Sequence, residues 1–64
     1  MGMPLGPLAQ LRRLYHHLVN GGKLNSRDLA YIQGCIDDYG IDVTFNGSKK
    51  SLSEVISAIE KAHT

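Results

Sequence analysis

Apolar residues recur at helical spacing in three separate runs, and the gaps between the runs carry stop and start signals. In the first run Leu8, Leu11, Leu14, Tyr15, Leu18 and Val19 fall on one arc at about 100° per residue. Arg12, Arg13, His16, His17 and Asn20 fill the opposite arc. This spacing predicts a helix from Pro7 to Asn20. Proline is favoured at a first helical position, and Gly21-Gly22 ends the run.

The second run, within Leu24 to Ile41, has both ends spelled out. Asn25 is placed to cap the first turn, and Asp28 stands where a capping-box carboxylate reaches back. Leu24 and Leu29 are spaced as a hydrophobic staple. Leu29, Ile32, Ile36 and Tyr39 form the apolar stripe. Gly40 supplies a left-handed residue, after which Ile41 can fold back on Ile36 in a Schellman motif. Two helices joined by a short glycine-containing loop predict an antiparallel helical hairpin.

After Gly40 the period changes. Ile41, Val43 and Phe45 alternate with Asp42 and Thr44, a strand pattern, and Asn46-Gly47 is a strong hairpin signal. The return arm, Ser48 to Lys50, is short and polar, so a short β-arm or stubby hairpin is expected. Ser51-Leu52-Ser53-Glu54 then reads as a capping box opening a third helix. Leu52, Val55, Ile56, Ile59 and Ala62 line one side of that helix, which frays near His63. The expected fold is mainly α with a minor β element: a helical hairpin, a β-arm, and a third helix packed on the pair. Residues 1–6 read as a flexible N-terminal segment, with Met1-Gly2 ahead of Met3 resembling a cloning remnant. Residues 7–64 form the predicted domain.

With 64 residues in total, such a domain buries only about 60% of its unfolded surface and is marginal by itself. Small domains commonly add a disulfide, a metal or a partner subunit. One cysteine, Cys35, allows no internal disulfide. It lies beside the second stripe, with Tyr31, Ile32 and Tyr39 around it and no histidine within a helical turn. It reads as a packed structural thiol. No cofactor or metal is expected: His16 and His17 diverge on their helix, and the next positions on each face hold Asn20 and Gly21. Catalysis is not expected either, since neither a Walker phosphate loop nor a nucleophile–base set is legible.

Net charge is +1, but it is unevenly spread. Residues 1–32 carry +3 from Arg12, Arg13, Lys23 and Arg27 against Asp28. Residues 33–64 carry −2 from five acids against Lys49, Lys50 and Lys61. That split can hold the two halves together or steer a partner. Asp37-Asp38 is the oddest local feature. Two carboxylates sit in the last turn of a helix, where the macrodipole disfavours each by about 0.3–1 kcal/mol. Gly34, inside the same helix, costs about 1 kcal/mol relative to alanine. It hints at a second contact surface on the side away from Ile32 and Ile36.

The leading expectation is a small regulatory or adaptor protein that binds another protein and pairs with itself. Its expected contacts are Arg12, Arg13, His16, His17, Asp37 and Asp38. The competing expectation is a nucleic-acid-binding accessory factor using Arg12, Arg13, Lys23 and a lysine loop at Lys49-Lys50. A structural component of a larger assembly is a third. No apolar run approaches the ~20 residues of a membrane span, and the N-terminal basic pair follows the apolar residues, unlike a signal peptide. No membrane partner and a cytoplasmic location are therefore expected.

Overall fold

Three helices in chain order make up the regular structure of residues 7–63, the part of the chain that this computed structural model describes. The expected flexible segment, residues 1–6, lies outside the described residues. Helix α1 spans Leu8–Val19, α2 spans Ser26–Tyr39 and α3 spans Lys49–His63. Each contributes three buried apolar side chains to one cluster: Leu8, Leu11 and Leu14 from α1, Ile32, Cys35 and Ile36 from α2, Leu52, Val55 and Ile59 from α3. Their spacing of three or four is what puts them on one stripe per helix. The radius of gyration is 11.2 Å, close to the ~11 Å of a collapsed chain of this length.

The helices do not share that core equally. Helix α3 packs chiefly on α1 and more lightly on α2, while α1 and α2 touch least. The third helix is therefore the hub, and the expected α1–α2 hairpin is the least developed of the three contacts. Predicted core positions at the stripe edges escape burial. Val19 is 47% exposed and Leu29 41%, and Ala62 is exposed in the last turn of α3. Leu24 packs against the core, but Leu29, its expected staple partner, stays 41% exposed and is not part of that packing.

The helix ends follow backbone chemistry. Asn25 Oδ1 accepts the Asp28 N–H at 2.8 Å, and Asp28 Oδ2 accepts the Asn25 N–H at 3.3 Å, closing the capping box. Gly40 is left-handed at φ +62°. Its N–H donates to the Asp37 carbonyl and the Ile41 N–H to the Ile36 carbonyl, each at 3.3 Å, the paired bonds of a Schellman motif. Helix α1 ends the same way. Gly21, at φ +90°, donates to the Leu18 carbonyl and Gly22 to that of His17.

The β-arm does not form. Ile41, Val43 and Phe45 are half-buried against the core and Asp42 and Thr44 exposed, so the alternation is real, but no strand is present among the described residues. An extended segment without a partner makes no ladder. The reason lies at Asn46-Gly47. Asn46 Oδ1 accepts the Ser48 N–H at 3.1 Å, and Ser48 Oγ accepts the Ser51 N–H at 3.2 Å. Ser48, not Ser51, thus caps α3, and Lys49 and Lys50 fall in its first turn instead of a loop. Ser51 is buried inside the turn as a polar plug, 5% exposed. Its hydroxyl lies 2.9 Å from both Asn46 Oδ1 and the Ser48 carbonyl oxygen, the two acceptors within reach of its single proton. A return arm as polar as Ser48-Lys49-Lys50 has no face to bury, whereas capping satisfies its backbone donors.

Gly34 sits in the middle of α2 without positive φ, and a Cβ built there meets nothing within 4 Å. Gly34→Ala therefore removes backbone entropy from the unfolded chain at no steric cost. It should stabilise the isolated chain by about 0.5–1 kcal/mol. A thermal melt of dilute protein should show the midpoint rising by several degrees, and a fall would mean that the helix face is not open.

Candidate functional site

The residues expected to act together are held in three separate places. Arg12 forms an ion pair with Glu60, tying α1 to α3. It joins one residue of the positive half of the chain to one of the negative half. The side chains are 49% and 44% exposed, which limits such a pair to about 0–1 kcal/mol. Arg13 is exposed on the same helix. His16 is exposed and meets Tyr15 edge-on, with ring centroids 6.1 Å apart.

His17 faces the chain itself. Its Nε2 lies 3.1 Å from the Lys23 carbonyl, and the ring lies over Gly22 so closely that a Cβ there would stand 2.3 Å from Cε1. The imidazole clasps the α1–α2 turn. No sequence signal marked this, because the contact depends on the Schellman turn bringing Gly22 back under the last turn of α1. Gly22→Ala should displace the ring and lose the hydrogen bond, costing about 1 kcal/mol. In a His17→Ala background the same change should be nearly neutral. Equal costs in both backgrounds, read from denaturant melts, would contradict the clasp.

Asp37 and Asp38 are both exposed at the end of α2, and Gln33 Nε2 donates to Asp37 Oδ1 at 3.5 Å. Arg12 is committed to Glu60 within the molecule, and Lys23, Lys49 and Lys50 are exposed. Cys35 is buried, a free thiol. Burial pushes the thiol above its usual pKa, a hydrogen bond from the Tyr31 hydroxyl opposes that, and the Asp38 charge adds to it. Such a thiol is a poor nucleophile at neutral pH. Among the described residues no three His, Cys, Asp or Glu side chains gather to hold a metal.

Two open hollows lie on the surface of the described residues. The larger, about 480 Å³, runs between Leu29, Ala30 and Gln33 of α2 and Phe45, Asn46 and Gly47 of the following segment. The smaller, about 230 Å³, is polar, between Thr44, Asn46, Ser48, Lys50, Ser51 and Glu54. Among the described residues the exposed large hydrophobics are Val19 on α1 and Leu29 and Tyr31 on α2. Leu29 and Tyr31 were not among the expected site residues. The angular position of Leu29, about 70° from the centre of the buried stripe, is the signal that could have flagged it. No helix among the described residues is long and apolar enough to cross a membrane. Comparison with known protein families, curated proteins and solved structures finds no match.

Proposed function

We propose that this chain is a small regulatory or adaptor protein that acts by binding protein, and that it pairs with a second copy of itself. One observation carries the reading. Helix α2 is held mainly by one edge, against α3, and keeps Leu29 and Tyr31 about 40% exposed on its two flanks. A domain this small has little core to spare, and covering those side chains adds burial that the lone chain lacks. Of the contacts expected from sequence, Asp37 and Asp38 stay in this reading because they lie on α2. Arg12 and His17 leave it because they are occupied within the molecule. Sedimentation equilibrium from micromolar to millimolar protein should show the average mass rising toward that of a dimer. A constant monomer mass across that range overturns self-pairing.

The competing reading, a nucleic-acid accessory factor, is favoured by one feature. Lys49 and Lys50 occupy the first turn of α3, where the helix dipole already favours an anion. Backbone phosphates would be the target, without base readout. This reading expects a gel shift with generic DNA at low salt that fades steeply as salt rises. Absence of any shift at low salt removes it.

A further inference from the structure

Two local costs in α2 have little return inside the molecule, where Asp37 Oδ1 accepts a 3.5 Å hydrogen bond from Gln33 Nε2. Gly34 faces open space, and Asp37 and Asp38 oppose the dipole of their own helix. Both lie on the face turned away from Ile32, Cys35 and Ile36. At about 100° per residue that face is centred on Ala30 and Gly34, with Arg27 and Asp37 within about 50° of its midline. Arg27 is exposed at one end and Asp37 and Asp38 at the other. Tyr31, 40% exposed, borders it about 80° from the midline, whereas Leu29, 41% exposed, lies about 120° round, beyond its edge.

This face is complementary to itself. Positions 30 and 34 share a midpoint at residue 32, and so do positions 27 and 37. A two-fold axis passing beside the outer face of α2 at that level lays two copies antiparallel. It sets Ala30 against the second copy's Gly34 and Arg27 against the second copy's Asp37, with Asp38 beside it. Each contact occurs twice, as an isologous interface requires. The small residues let the helix axes approach to about 8 Å, the lower end of helix packing distances. The two Tyr31 rings then meet along one side of the seam. Opposed dipoles bring each acidic C-terminal end of α2 toward the positive N-terminal end of the other copy, which relieves the mismatch at Asp37-Asp38.

We infer that the outer face of α2 is the dimer seam, an antiparallel α2–α2 contact across residue 32 in which Arg27 of each copy meets Asp37 and Asp38 of the other. This rests on the reading that the chain pairs with itself and adds the face, the direction and the register. Sedimentation equilibrium on variants tests it. Gly34→Leu points into open space in the lone chain, so it should fold, with helical circular dichroism retained, while dimer formation is lost. Arg27→Asp alone, or Asp37→Arg with Asp38→Arg, should weaken the dimer by about tenfold, since two symmetric pairs turn repulsive. Combining the three changes should recover most of the loss. A monomer at every concentration for the unaltered chain overturns self-pairing itself. An unaltered dimer that survives Gly34→Leu, or charge reversals that weaken it without rescue on combination, overturns this seam and leaves self-pairing standing.

Discussion

Burial of one nine-residue apolar cluster, three side chains from each helix, is the constraint on which the rest depends. No disulfide is available to share the load, since Cys35 is a free thiol and itself part of the cluster. Each stripe must therefore find the other two. Helix α3 does most of that work. Its Leu52, Val55 and Ile59 are fully buried and lie chiefly against α1. Helix α2 contributes its own three residues but at a lighter contact, and that imbalance is what leaves a helix face open on the outside.

The connections are as specific as the core. Both inter-helix segments begin with a left-handed glycine that closes a pair of backbone hydrogen bonds, so each helix stops at a defined residue. The first turn is then locked from above by the His17 ring. The second segment runs extended, tucks Ile41, Val43 and Phe45 against the core, and is stopped by the Asn46–Ser48–Ser51 network. Burying one hydroxyl there is tolerated because every bond it can make is made. A short chain can hold three helices in place because its loops have few conformations to lose.

Much of this was legible in the sequence, because it is local. The capping box at Asn25-Asp28, the Gly40 stop and the three apolar stripes are each set by residues a turn or less apart. The errors share a cause. Alternation at Ile41, Val43 and Phe45 reports a half-buried extended chain, and burial of that kind does not require a partner strand. Asn-Gly is equally good at a hairpin and at an Asx turn that feeds a helix cap, and only the fate of Ser48 separates them. The Arg12–Glu60 pair spans 48 residues and follows from α3 lying on α1, which no local pattern specifies. The engagements of the candidate site residues were less legible for the same reason. Which charges are engaged within the molecule depends on tertiary packing, and so does the clasp by which the exposed His17 ring meets the α1–α2 turn.

Helix α2 shows how a sequence can be well specified locally and still carry features that the isolated fold does not need. Its N-terminus is capped, its C-terminus closed and its inner stripe buried. Against that consistency stand a mid-helix glycine and a carboxylate pair at the negative end of the dipole, both on the outer face. Local conflicts of this kind collect where a surface meets something else, because a contact outside the fold can offset a cost within it. The two conflicts are about a turn apart on one face, with the exposed Tyr31 at its edge. A single surface in contact with a partner accounts for all three features, whereas a solvated helix requires a separate toleration for each.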